Sequence, residues 1–175
     1  MAFDLRRADQ TRTVHLLRDG TVMAAVTASA RPVPGCTVQR LGQMRYRPRA
    51  SRQFTARWFG DEVSVQRLSL APVIVFDRED PQQDQYLRRR ARRQLAPPRC
   101  YIPGSAFVQA VREGLGWGMV PDLQAGPPDD DDPLVEFDHR GVIDIPLYWQ
   151  QWQRPSVALE RVRTAVCAYA ASALR

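Results

Sequence analysis

Few residue sets in this sequence are suited to catalysis. Its two histidines, His15 and His139, stand far apart, and no GxSxG turn presents a serine for a Ser-His-Asp triad. His15 falls within an amphipathic segment, where a partly buried packing role is expected. The run GLGWG at 114–118 has the glycine density of a phosphate loop. It follows a helical pattern and opens a strand, however, which reverses the order that sets a phosphate on a helix N-terminus, and no GK[ST] is present. Cys36, Cys100 and Cys167 are odd in number, widely spaced and outside any CxxC pattern, which favours a reducing compartment and opposes a structural zinc centre. The aspartates at 129–132 concentrate negative charge but lack the alternating ligands and closing glutamate of a calcium loop, so they read as a solvated turn. These residues predict no metal, no cofactor and no catalytic machinery. They predict a binding module rather than an enzyme.

A length of 175 residues allows one or two small domains with a real core. Apolar content of 44% and charged content of 25% are ordinary for a globular protein. The net charge of +6 comes from arginine alone. With abundant alanine and proline, that bias reads as genome composition rather than as a nucleic-acid surface, because charge alone speaks to solubility and loose association. The arginine-rich RRRARR at 88–93 likewise reads as a solvated helix face. No apolar run approaches the roughly 18 to 20 residues of a membrane span, and MAFDLRRADQ lacks the apolar centre of a signal peptide. A cytoplasmic location is the expectation.

The elements that must position any site follow from periodicity. FDLRRADQTRTVHLLRDG reads as a short strand and a helix, with Asp9 or Thr11 as N-cap and Gly20 as its stop. TVMAAVT predicts a buried strand, and CTVQRLGQMRYRP a strand region broken near Gly42. Residues 49–69 read as irregular, with Phe54, Trp58 and Phe59 pinning a surface segment to the core. APVIVFD is a clear strand, residues 82–95 a helix, and YIP a short strand. GSAFVQAVREGLGWGMVP predicts a helix with Phe107, Ala110 and Val111 on one face, a stop at Glu113–Gly114 and a buried parallel-sheet strand in WGMV. VIDIPLYWQQW predicts a long strand, and residues 154–174 a helix with Val162, Val166 and Tyr169 on one face. A chain that closes by returning a strand and a helix to its start suggests an α/β protein of two lobes joined by crossing segments. Ligands in such folds sit at the carboxyl ends of strands.

With those residues laid out, the chain resembles the effector-binding domain of LysR-type transcriptional regulators. FVQAVREGLGWGMVP is similar to the family's second-lobe segment, LLRDGTVMAAVT to its first-lobe helix, glycine and strand, and PLYWQQW to its returning strand. Within the family, PVPGCTVQRLGQMRY and DIPLYWQQW resemble the LysG/ArgP branch, which responds to lysine and arginine. Met23 stands where the broader family carries an aspartate and this branch does not. The resemblance implies a type 2 periplasmic-binding-protein-like fold, each lobe a small Rossmann-like sheet flanked by helices. Residues 1–48 and 150–175 would form the first lobe, with its initial strand and helix missing, and 49–149 the second. It also implies a homodimer, a small-molecule effector held between the lobes, and DNA binding only through a winged helix-turn-helix outside these residues. The rival of the same fold is an exported solute-binding protein.

A basic amino acid would need distinct partners for its carboxylate and its cations. The resemblance puts the carboxylate at the turn holding Gly104 and Ser105, where free amides favour negative charge. PGS departs here from the hydroxyls and glutamate usual in the branch, and Ser105 could equally act only as an N-cap. The cations would meet Asp80, which resembles a branch residue, and secondarily Asp77, both just after the strand of FDRED. Asp80 before Pro81 also suits a helix cap. Thr27 and Ser29 would supply hydroxyls from the other lobe, and Trp149 a cation-π wall or simple core.

Overall fold

The structure is a computed structural model and describes residues 3–6, 10–126, 132–154 and 156–175. Asp9 and the aspartates at 129–131 lie outside the described residues, as does the side chain of Thr11. Seven helices and seven strands are formed by the described residues, in the order α1 (Gln10–Arg18), β1 (Ala24–Thr27), β2 (Cys36–Ser51), α2 (Arg52–Trp58), α3 (Val65–Leu70), β3 (Val73–Val75), α4 (Gln82–Ala91), β4 (Arg99–Tyr101), α5 (Ala106–Arg112), β5 (Gly118–Pro121), α6 (Asp122–Ala125), β6 (Leu134–Glu136), β7 (Ile143–Trp152) and α7 (Val157–Ala173). The chain divides into two compact units, Met1–Met44 with Asp144–Arg175, and Arg45–Ile143.

In the first unit, α1 stops where Gly20 takes a left-handed φ of 75°, as expected, and the Thr21 amide bonds Asp19 Oδ1 at 2.9 Å. His15 is exposed on this helix, so the packing role expected for it is not filled; Leu17, on the opposite side, is the buried residue. Phe3–Arg6 joins no strand. β1 pairs antiparallel with β7, Ala24 opposite Gln151 through Thr27 opposite Tyr148. It is not the buried strand expected, because it ends its sheet: Met23 and Val26 are 46% and 45% exposed. Leu17, Val33 and Cys36 form the small core, closed by Val14, Val22, Ala25 and Trp152. A buried amide organises the adjoining loop. Gln150 accepts from the Val33 amide at 3.0 Å and donates to the carbonyls of Ser29 and Arg31, both at 3.0 Å.

β2 runs unbroken through Gly42, contrary to the break expected there. Gly42 has φ 143°, and a Cβ on it would lie 2.7 Å from Leu174 Cβ, so the glycine admits the C-terminus rather than ending the strand. Gln43 and Arg175 then exchange backbone bonds of 2.7 and 3.2 Å. On α7, whose first turn is capped by Ser156 accepting from the Leu159 amide, Val162 and Val166 are half-buried. Tyr169 is 66% exposed and leaves the predicted face; Ala170 is the buried residue of that turn.

In the second unit, the end of β2 pairs antiparallel with β5 and with β6, and β3 pairs parallel with β4. β5 is fully buried as expected but its ladder is antiparallel; its parallel neighbour is reached only through the bridge of Val73 with Trp117. Residues 49–69, expected to be irregular, hold two helices started by Ser51 and Ser64, which accept from the amides of Phe54 and Arg67. Phe54 and Phe59 are buried as expected, and Phe59 meets Phe137 at 4.6 Å between ring centroids.

The three glycines of GLGWG each have a physical reason. Gly114 takes φ +76° after α5, while a Cβ on Gly116 or Gly118 would approach Ile74 Cγ1 or Phe107 Cζ at 2.9 Å. Ile74, Phe107, Val108, Val111 and Val120 make the core around them. α4 ends at Ala91, before the expected residue 95, because Arg92 turns left-handed at φ 53°. Its arginines are exposed but engaged: Arg90 pairs with Asp138 at 2.9 Å, and Arg88 and Arg89 donate to the carbonyls of Asp84 and Val142.

Candidate binding site

The parallel register of β3 and β4, Val73 opposite Arg99 through Val75 opposite Tyr101, makes both strands finish at the same end of the pair. The Ile102 amide bonds Val75 O at 3.0 Å, so the two following loops leave side by side. Asp77 and Asp80 stand in one loop, Gly104 and Ser105 in the other. These four of the predicted residues are therefore brought to one end of the second unit.

Local bonds shape the first loop. Asp77 Oδ1 accepts from the Glu79 amide at 2.8 Å, turning the chain at Arg78. Asp80 Oδ1 accepts from the Gln82 amide at 3.2 Å and Oδ2 from the Phe76 amide at 3.4 Å, so the carboxylate ties the end of β3 to the first turn of α4. That is the capping role foreseen for it, since Pro81 has no side-chain bond to give. Burial raises the Asp80 carboxyl above its ordinary value; bonds from Gln82, Gln83 and Phe76 oppose the rise, and the charge of Asp77 adds to it.

In the second loop, Gly104 has φ 78° and its carbonyl accepts from the Phe107 amide at 3.3 Å. Ser105 is already helical, at φ −68° and ψ −21°, and makes no capping bond through its side chain, so the simple N-cap alternative is not realised. Across the two loops, the Arg78 guanidinium lies 4.6 Å from the centroid of the Tyr101 ring.

Thr27, Ser29 and Trp149 belong to the first unit. Thr27 is 4% exposed and its hydroxyl accepts from the Ser29 amide at 2.8 Å, while Ser29 Oγ accepts from the Arg31 amide at 3.2 Å. Trp149 is 6% exposed, faces Val26 across the ladder and donates its indole N–H to Gln151 Oε1 at 2.6 Å, which continues to Glu160 at 2.7 Å. It packs as core and lines a cavity of about 690 Å³ with Leu16, Met23, Val26, Leu159 and Val166. Thr27 and Ser29 do not line that cavity, whose wall also includes Asp4, Arg6, Thr21 and Ser156.

Sequence reasoning missed a set of charges in the second unit. Arg47 bonds Asp122 at 3.0 Å and Glu136 at 2.9 Å, Arg49 bonds Asp122 at 2.8 Å, and Arg112 bonds Asp132 at 3.1 Å. Burial lowers the Arg49 guanidinium below its ordinary value, against the pull of Asp122. The i, i+2 spacing of Arg47 and Arg49 was the available signal, since it sets both on one face of β2. Among the described residues, no group of three or more His, Cys, Asp or Glu could hold a metal ion.

Residues 1–170 match the family described as the LysR substrate binding domain. The chain belongs to that family. Its LysR relatives include the lysine export transcriptional regulatory protein LysG of Corynebacterium efficiens, 41% identical over 174 residues, covering 98% of this chain and 59% of that protein. Among solved structures, ArgP from Mycobacterium tuberculosis is 39% identical with a TM-score of 0.91, over 98% of this chain and 59% of that one. Full-length LysG from Corynebacterium glutamicum with bound effector Arg is 35% identical with a TM-score of 0.86, over 97% and 58%. The chain thus spans under three fifths of the length of the curated relatives it matches. The LysR match bears out the two-lobed α/β expectation, and these relatives are regulators of transcription rather than enzymes.

Proposed function

We propose that this chain is the effector-sensing domain of a LysR-type transcriptional regulator, and that its effector is a basic amino acid, lysine or arginine. The observation that supports the reading is that Asp77 and Asp80, and the Gly104–Ser105 turn, stand in the loops that follow the carboxyl ends of two parallel strands. A net charge of +6 makes such a local pair of carboxylates necessary for any cationic ligand. The arginine-bound LysG relative supports the ligand class, and the name of the Corynebacterium efficiens relative supports control of amino-acid export.

In this reading Asp80, seconded by Asp77, receives a cationic group, and the turn at Gly104 and Ser105 receives the carboxylate. Thr27 and Ser29 are further candidate contacts in the first unit, where Trp149 positions β1 through its packing. The effector prefers one conformation of the domain, which shifts its population and changes how a homodimer presents DNA-binding heads located outside these residues. The working compartment is the cytoplasm. The regulator relatives favour this reading over an exported solute-binding protein.

Calorimetric titration with lysine, arginine and histidine tests it. A dissociation constant between micromolar and millimolar, roughly 4 to 8 kcal/mol, is expected for at least one of lysine and arginine. A folded sample that gives neither heat nor thermal stabilisation with any of the three overturns the ligand assignment.

A further inference from the structure

We propose that Arg78, stacked on Tyr101, is the clamp for the α-carboxylate of the amino-acid effector. The inference rests on the reading above and names a contact that reading lacks. A free amino acid carries one anionic group, and Asp77, Glu79 and Asp80 in the loop after β3 all repel it. The same loop supplies one cation. Asp77 folds the chain back on the Glu79 amide, which leaves Arg78 exposed at the bend between the carboxylates.

Its guanidinium then crosses from the β3 loop to the end of β4, 4.6 Å from the Tyr101 ring centroid, two residues before Pro103 and the Gly104 turn. This contact is with an aromatic ring rather than a carboxylate, so it leaves the charge of the guanidinium without an anionic partner. Arg47, Arg49, Arg90, Arg99 and Arg112 of this unit pair with carboxylates; Arg67, Arg88 and Arg89 are engaged by carbonyls and Arg57 lies over Trp58, and Arg78 differs from these in standing in the loop after β3, between Asp77 and Glu79. Among the described residues, no carboxylate lies within ion-pair distance of Arg78. Stacking also limits the rotamers of a long side chain before a ligand arrives, so less freedom is lost when a carboxylate binds the fork in a bidentate manner. Carboxylates for the ammonium and a poised guanidinium for the carboxylate make one loop complementary to a zwitterion.

The experiment compares arginine with agmatine, which is arginine without its carboxylate, by calorimetry on the wild type, Arg78→Gln and Tyr101→Leu. Arg78→Gln should weaken arginine by about ten- to a hundredfold, the range for a hydrogen bond between charged groups, while agmatine binds as well as before or more tightly. Tyr101→Leu alters no charge and should weaken arginine by about two- to fivefold through loss of the platform, again sparing agmatine. The proposal is overturned if Arg78→Gln binds arginine like the wild type, or loses arginine and agmatine equally. A wild-type chain that binds agmatine as tightly as arginine overturns the clamp while keeping the cation site. A wild type that binds neither lysine nor arginine removes the parent reading and the clamp together.

Discussion

Asp80 is asked to do two things, and one pair of substitutions separates them. Its two oxygens each hold a different backbone amide, Gln82 at 3.2 Å and the weaker Phe76 at 3.4 Å. Asn offers one oxygen, which can keep the shorter bond to the start of α4 and gives up the longer one. The loss is about 1 kcal/mol, partly offset because a buried charge is removed, so the unfolding midpoint should fall by roughly 2 to 4 °C or less. Ala gives up both bonds and should cost about 0.5 to 2 kcal/mol, the range for a lost cap. For an effector ammonium, Asn and Ala are equally unable to supply charge, and loss of a desolvated charge partner costs about 2 to 5 kcal/mol of binding.

The pH dependence adds a second signature. Because burial raises the folded Asp80 carboxyl above its ordinary value, the folded chain holds that proton more tightly than the unfolded one. Its contribution to stability is therefore full at pH below the ordinary carboxylate value and is lost as pH rises through the raised one. A cationic ligand needs the ionised form, so arginine affinity should climb across the same interval in the wild type and climb less in Asp80→Asn, where Asp77 alone remains. Thermal unfolding and titration calorimetry across an acidic pH series measure both. An Asp80→Asn protein with near-native stability that still binds arginine with wild-type affinity and wild-type pH dependence refutes the assignment and leaves Asp80 a cap alone.

Other outcomes follow from contacts away from the loops. Gly141→Ala places a Cβ 2.5 Å from Tyr86 Cε2 and 2.7 Å from Pro48 Cγ, so overpacking should cost about 1 to 3 kcal/mol, read as a lower urea midpoint with unchanged m. Gln150→Leu leaves the Val33 amide and the carbonyls of Ser29 and Arg31 without their partner, at about 1 to 3 kcal/mol for each group kept from water, and should speed hydrogen exchange at Val33. Arg112 holds the Asp132 carboxyl below its ordinary value. The stability this adds is present above that ordinary value and disappears as pH falls through the depressed one, so Asp132→Asn should remove about 1 kcal/mol at neutral pH and less in acid.

What could be read from the sequence was mostly local. The stop of α5 at Gly114, the strand of WGMV and the helix after FDRED follow from glycine conformation, apolar runs and a proline, all written within a few residues. Residues 49–69 read as irregular because Ser51 and Ser64 cap helices of only seven and six residues, too short for an apolar period to declare itself. Gly42 reads as a break because its reason, Leu174, is far along the chain. For the site, resemblance marked Asp80, and strand-end and helix-start positions marked Asp77, Gly104 and Ser105, but only the register of β3 with β4 shows them on one end. The Arg78–Tyr101 stack and the Arg47–Asp122–Glu136 set join residues 23, 75 and 89 apart in sequence, and no local pattern encodes such pairs.

The coupling between cap and ligand has a definite sign. An ionised carboxylate offers about four lone-pair sites, and Asp80 shares its own among the Phe76 and Gln82 amides and the Gln83 side chain, which leaves one for an ammonium group without displacing either amide. The first turn of α4 is also tied to β3 through Gln83, whose Nε2 donates to the carbonyl of Ile74 at 3.2 Å. Gln83 and Ile74 are both fully buried, and Ile74 is held in turn through its amide to Trp117 O at 2.7 Å. A bound cation would therefore fix Asp80 in its capping geometry and tighten the joint between β3 and α4. The Gln82 amide should exchange with solvent more slowly when arginine is bound, beyond any slowing seen at amides of α7. Faster exchange at Gln82 would mean that the ligand takes the carboxylate away from the helix, and the cap and the site would then be competitors rather than one device.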